Sequence, residues 1–391
     1  MEKSENCHSP QGPKEASSFT KEANRAVFND KVLPWDDKSD FENARQGFVT
    51  KDFPLVITGQ SGKTVFDMER YTEFIKPAFP APDTVNSSLW RHARLNTNAG
   101  LFKITDCLYE VRGYDMANMA VMEGETGYII LDALTYTEAS RAAMELVYTT
   151  LGKKPIKAVV IGHSHADHFG GICGITGASA VKSGEVKVIA PWGLEASALS
   201  ENVLAGPVML RRAAYQFGDT LPVGPTGVID CGLGKRMPGG GGTVSFLSPS
   251  DSITHTGQEM TIDGIKFIFQ MAPDSEAPAS IQAYLPRFKA LWFGENVNYT
   301  NHNLCPIRGT LTRDAKKWAG YINEMIELFP EAKIAFGSHF WPVWGKDEVR
   351  NLLTKQRDLY KFTHDQTLRL AYRRGDCRDA HPPPQPCLRM V

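Results

Sequence analysis

In the stretch HSHADHFGG, His163, His165, Asp167 and His168 fall within six consecutive positions, directly after the apolar run KAVVIG. Imidazoles and a carboxylate crowded this closely resist burial unless a cation holds them. A strand followed by this loop puts the cluster at the C-terminal end of the strand, where α/β proteins commonly carry their sites. Ring nitrogens bind zinc at about 2.0–2.1 Å and carboxylate oxygens at about 2.0–2.2 Å, so the loop can serve one ion or two adjacent ions. A ligand set of His and carboxylate without cysteine favours a catalytic over a structural metal. The bland reading, four ordinary polar loop residues, suits a lone histidine better than this ordered group.

The elements that must hold the cluster are strands alternating with helices. LYEVRGYDMANMAVMEGETGYIILDAL reads as strands between turn residues, TEASRAAMELVYTTLG as a helix closed by Gly152, and IKAVVIG and EVKVIAP as strands. Further on, TIDGIKFIFQMAP reads as a hairpin turning at Asp-Gly, KALWFGEN as a buried strand ending in Glu295, and AKIAFGSHFWP as a last strand ending near His339. TRDAKKWAGYINEMIELFP and the run from Lys346 to Ala371 have helical periodicity, whereas residues 206 to 243 read as loop. Strand–helix alternation predicts an α/β or mixed sandwich architecture. Near the start, ITGQSGKT ends like a phosphate loop, but Ile57 stands where the first glycine is needed, which argues against a nucleotide site.

The chain has 391 residues and 42% hydrophobic content, enough for a substantial core. With 43 Lys+Arg against 44 Asp+Glu, the balance does not point to nucleic acid or an anionic membrane as partner. No apolar run approaches the ~20 residues of a membrane helix, and the polar start lacks a secretory apolar core, so the expectation is a soluble, cytoplasmic protein. Seven scattered cysteines read as reduced thiols rather than a disulfide framework.

HSHADHFGG resembles the H-x-H-x-D-H signature of the metallo-β-lactamase superfamily, and Asp132, closing YIILD, resembles the aspartate that orients its metal loop. The segments APDSEAPAS, FGENVNYTNHNLCPIRGTLTRDAKKW and GSHFWPVWG resemble the alkyl sulfatases, zinc hydrolases of dodecyl sulfate and related esters, over about residues 20–371. The resemblance implies an αββα sandwich over 86–345, an N-terminal extension over 1–85, and the start of a helical dimerisation domain over 346–371. It implies two zinc ions per chain: His163, His165 and Glu276 on one, Asp167, His168 and His339 on the other, with Glu295 bridging. Asn303, Arg308 and Arg313 would hold the sulfate group, and Asp167 and Arg308 are the residues expected in the reaction itself. His302 and His255 read as structural or exposed.

Two departures accompany the resemblance. HNLCPIRGT stands where members usually show HNLYTLRGA, which bears on how Asn303 and Arg308 converge. Members also continue into dimerisation and sterol-carrier-like domains, whereas YRRGDCRDAHPPPQPCLRMV has neither period nor core residues. The expectation is therefore a catalytic region with a shortened C-terminal helix and an atypical tail over 372–391, for which the family's homodimer is doubtful. The superfamily fold alone also admits a hydrolase of lactones, thioesters or lactams, or a zinc-binding but inactive homologue.

Overall fold

The computed structural model describes residues 14–29, 33–50, 52, 54–76, 80–237 and 241–374. Its strands are β1 (Phe48–Thr50), β2 (Val56–Thr58), β3 (Thr64–Asp67), β4 (Gly100–Thr105), β5 (Leu108–Arg112), β6 (Met119–Glu123), β7 (Tyr128–Leu131), β8 (Ile156–Val160), β9 (Lys187–Pro191), β10 (Asp251–Ile253), β11 (Glu259–Ile262), β12 (Ile265–Met271), β13 (Ile281–Leu285), β14 (Ala290–Trp292), β15 (Ile334–Phe336) and β16 (Val343–Trp344). An eight-stranded sheet runs β1-β4-β5-β6-β7-β8-β9-β10, a six-stranded sheet runs β11-β12-β13-β14-β15-β16, and β2 and β3 form a separate hairpin. The pairs β7–β8, β8–β9, β9–β10 and β14–β15 are parallel and the rest antiparallel.

Side-chain alternation explains why the two sheets stack. In β7, Ile129 and Leu131 point into a core shared with Phe267, Phe269 and Trp292 of the second sheet, while Tyr128 and Ile130 point outward. Those outward residues meet Ala139, Ala143 and Val147 of the Thr137–Leu151 helix. On the far side, Leu291 and Ala335 meet Trp318 and Ile322 of the Ala315–Leu328 helix and Leu353 and Tyr360 of the Lys346–Arg374 helix. The result is the expected four-layer αββα sandwich. A strand covered on both faces must be apolar throughout, and β7, β13 and β14 are nearly so. Each such Ile, Leu or Phe contributes about 1.5–3 kcal/mol by burial.

Within residues 1–85, β1 pairs with β4 as an edge strand of the larger sheet. Lys63 and Thr64 of the phosphate-loop lookalike lie in the β2–β3 hairpin. One expectation needs correction: residues 206–217, read as loop, form the Gly206–Phe217 helix. Pro207 does not prevent this start, because proline at the first helical turn lacks only an N–H that has no partner there anyway. Residues 238–240 of the glycine run, and 375–391 of the tail, lie outside the described residues, while 372–374 continue the last helix. No described helix is long and apolar enough to cross a membrane. Cys107, Cys173, Cys231 and Cys305 are free thiols.

Candidate metal centre

Loops at one rim of both sheets build the centre. After β8, the backbone N–H of Gly162 donates to Asp132 Oδ1 at 2.6 Å, while Ile281 N donates to Gly162 O at 2.8 Å and Ser164 N to Ala279 O at 3.1 Å. The metal loop is thus stitched to β7 on one side and to the segment ahead of β13 on the other. The short Ala166–Phe169 helix then presents Asp167 and His168. Its exit needs glycine: a Cβ on Gly170 would meet Thr135 O at 2.3 Å, and one on Gly171 would meet Ala133 O at 2.2 Å.

The second sheet supplies the rest. Glu276 sits on the β12–β13 loop, pinned by Ser275 Oγ donating to Asn296 Oδ1 at 2.7 Å and Asn296 Nδ2 donating to Ser280 Oγ at 2.9 Å. Glu295 follows β14, and Trp318 Nε1 donates to the next residue's carbonyl, Asn296 O, at 2.7 Å. His339 follows β15, where Ser338 N donates to Gly294 O at 2.8 Å.

Two ligand groups result, His163/His165/Glu276/Glu295 and Asp167/His168/Glu295/His339, with the donor atoms of each within 4.8 Å of one another. In the first, His163 Nε2 and His165 Nδ1 each lie 2.8 Å from Glu276 Oε2, and His163 Nε2 lies 3.2 Å from Glu295 Oε2. In the second, Glu295 Oε2 is 3.1 Å from His168 Nε2 and 3.4 Å from His339 Nε2, and Asp167 Oδ2 is 3.3 and 3.4 Å from the same nitrogens. Glu295 belongs to both. All seven residues that the sequence pointed to as ligands therefore converge, and all but Asp167 are buried.

The donor chemistry fits a cation. His168 Nδ1 donates to Asp132 Oδ2 at 2.7 Å and His339 Nδ1 to Met116 O at 3.1 Å, so each ring turns its Nε2 lone pair toward carboxylate oxygens. Lone pair against carboxylate is repulsive unless a proton or metal ion lies between. Glu276 Oε2 and His339 Nε2 are buried without a hydrogen-bond partner. Without an ion, protons must fill the gap. Burial pulls His168 down, but Asp167 and Asp132 override it and raise the ring well above the usual imidazole range. His339, lowered by burial, is pushed up to about 10 by Glu295 and Asp167. Burial opposes ionisation of the carboxyls as well, yet His168 beside Asp167, Arg313 beside Glu276 and His339 beside Glu295 hold all three well below their usual range. Burial lowers His165. Divalent metal would replace these protons.

Of the expected sulfate residues, Arg313 is buried and mostly engaged with protein. Its Nη2 lies 2.5 Å from Glu276 Oε1, Nε donates to Glu276 O at 2.7 Å, and Nη1 contacts His302 Nδ1 at 2.5 Å, Asn303 O at 2.7 Å and Asn303 Oδ1. Asn303 is exposed and Arg308 half-buried, its Nη2 3.8 Å from Glu201 Oε2. Of the two histidines read as structural or exposed, His255 is exposed and His302 is buried in the centre, 2.9 Å from Glu295 Oε1 through Nε2. A single histidine beside an asparagine gave no signal for that placement. Ser275, Ser280 and Asn296, which frame the two glutamates, gave none either.

Residues 112–213 match the profile of the metallo-β-lactamase superfamily. The chain is 44% identical over 374 residues to alkyl/aryl-sulfatase BDS1 of Saccharomyces cerevisiae, covering 94% of this chain and 56% of that protein. It is 43% identical over 359 residues to a linear primary-alkylsulfatase of Pseudomonas sp., covering 92% and 52%. The solved structure of the stereoselective inverting sec-alkylsulfatase Pisa1 from Pseudomonas sp. superposes with a TM-score of 0.88 at 42% identity, covering 92% of this chain and 56% of that one. The chain spans about half the length of the curated relatives it matches.

Proposed function

From a chain that is homologous to the alkylsulfatases and carries the metallo-β-lactamase fold, we propose zinc-dependent hydrolysis of alkyl sulfate esters to alcohol and sulfate. The observation that carries this reading is the pair of ligand groups sharing Glu295, with an arginine-bearing loop closing over one of them. His163, His165, Glu276 and Glu295 would hold one ion, and Asp167, His168, His339 and Glu295 the other. When bound, such a pair supplies Lewis acidity and makes water acidic enough to ionise near neutral pH.

The chain's own groups do the rest. A sulfate ester presents three oxygens and one negative charge, which suits planar guanidinium donors that never lose their proton. Arg308, half-buried, and Asn303, exposed, would receive those oxygens. Arg313 lends its positive charge to that side of the site, while its Nη2 and Nε hold the ligand Glu276 and its Nη1 holds His302 and Asn303. With Arg313 donating to His302 Nδ1, the ring keeps its proton on Nε2, directed at Glu295 Oε1. Asp167, the most exposed of the three carboxylates, accepts a hydrogen bond from the attacking water. As the water oxygen bonds to carbon or to sulfur, the ester C–O or S–O bond breaks; either route gives the alcohol, a sulfate dianion that would lie beside Arg308, and one proton released to solvent.

The test is sulfate release by the purified chain, loaded with zinc, from dodecyl sulfate and shorter alkyl sulfates, run in oxygen-18 water. Turnover is expected, with the label reporting which bond breaks: in the alcohol for C–O, in sulfate for S–O. Two bound zinc ions with no sulfate release from any of these esters would refute the assignment.

A further inference from the structure

Outside the two ligand groups, the helix that starts at Leu194 brings another carboxylate to the centre. Over Ser200–Leu204 this helix widens into a π-turn, in which Ala205 N donates at 2.9 Å to Ser200 O, five residues back. Such turns are uncommon and concentrate at functional sites, because the inserted residue re-aims a side chain. Here the re-aimed residue is Glu201. Its neighbours Val203 and Leu204 face solvent, whereas its own side chain is only 15% exposed and turns inward.

Both carboxylate oxygens point at site residues. Oε1 is buried with no hydrogen-bond partner and lies 3.8 Å from His165 Nε2. Oε2 lies 3.8 Å from Arg308 Nη2, while the Arg308 backbone N–H is fixed by Gln216 Oε1 at 3.1 Å. His165 turns Nδ1 to Glu276, so a ring that ligates through Nδ1 carries its proton on Nε2 and needs an acceptor there. Glu201 Oε1 stands where that acceptor belongs. A separation of 3.8 Å exceeds a hydrogen bond, and one bridging water or a small rotation of the glutamate closes it. An ordinary surface acid would have both oxygens in water.

We propose that Glu201 is a positioning residue for both halves of the site, accepting the outward N–H of His165 and holding Arg308 over the opening. This rests on the metal and sulfate assignments above. Zinc affinity of the full chain, measured by chelator competition, tests the first half with Glu201→Ala, Glu201→Gln and, as a control on the same turn, Leu204→Ala. Removing a ligand's outer partner weakens metal binding about 10–100-fold, so Glu201→Ala is expected to lose at least about tenfold. Glu201→Gln, which keeps an acceptor, loses less, and Leu204→Ala stays within about twofold. Should Glu201→Ala fail to fold, the ranking of the glutamine variant against Leu204→Ala carries the test. Zinc affinity unchanged in both Glu201 variants, or an equal loss in Leu204→Ala, overturns the proposal. A parent chain that holds no zinc overturns the metal assignment itself, a separate result. For the second half, Glu201→Ala and Arg308→Ala should each raise KM for dodecyl sulfate, with the double variant no worse than the poorer single. Multiplicative effects would overturn that half.

Discussion

Asp132→Asn isolates the link between fold and metal with almost no change in shape. Asp132 accepts Gly162 N–H on Oδ1 at 2.6 Å, and His168 Nδ1–H at 2.7 Å together with Ser338 Oγ–H on Oδ2. Asparagine has one acceptor oxygen for these three donors. If its oxygen replaces Oδ2, the NH2 group meets the Gly162 N–H, leaving a buried donor unsatisfied at a cost of about 1–3 kcal/mol. If the NH2 group replaces Oδ2, His168 must move its proton to Nε2, and the lone pair aimed at the metal is lost. Either arrangement weakens metal binding, by about 10–100-fold or roughly 1.4–2.7 kcal/mol. Chelator competition for zinc reads the second quantity, and urea unfolding of the metal-free protein reads the first. Zinc affinity within about twofold of the parent, with unchanged metal-free stability, would show that Asp132 orients nothing.

Stripping the metal should lower the unfolding midpoint, and zinc at about a hundredfold excess over its Kd should restore roughly 2.7 kcal/mol; identical melting curves with and without chelator would contradict the ligand assignment. Asp314 caps the Ala315–Leu328 helix by accepting from Lys316 N and Lys317 N, so Asp314→Ala should cost about 0.5–2 kcal/mol in urea unfolding. Glu110 is pushed up to about 8 by burial, which outweighs Arg112 Nε 3.4 Å away. Between the ordinary carboxyl range and that value, the folded chain keeps a proton that the unfolded chain has released, so stability falls as pH rises through this window. Glu110→Gln should flatten that fall, and parallel curves of urea midpoint against pH for variant and parent would refute the attribution.

The four-residue ligand loop was legible because the ligands fall within six positions directly after a strand, and the sandwich because strands covered on two faces must be apolar. Glu276 and Glu295 could not be told from ordinary loop acids by residue type, since only the docking of one sheet on the other brings them to His163. Their placement came through the resemblance. Arg313 and His302 show the limit more sharply: the arginine's five N–H groups are divided between Glu276, His302 and Asn303 by tertiary packing, which no spacing encodes. The Gly206–Phe217 helix was missed because it was grouped with the glycine-rich stretch that follows it, and the π-turn that aims Glu201 has no sequence signature.

The grip of Arg313 on Glu276 also bears on how such a site can diverge. Loops that choose substrates can usually be exchanged while the scaffold is left alone. Here the loop that would choose among esters braces Glu276 of a candidate ligand group, so mutations that reshape the opening are expected to shift metal affinity as well. Neutral drift over residues 299–313 is correspondingly narrow. New specificities are more readily acquired on the Gly206–Phe217 helix, which touches the opening through Gln216 and supplies no ligand.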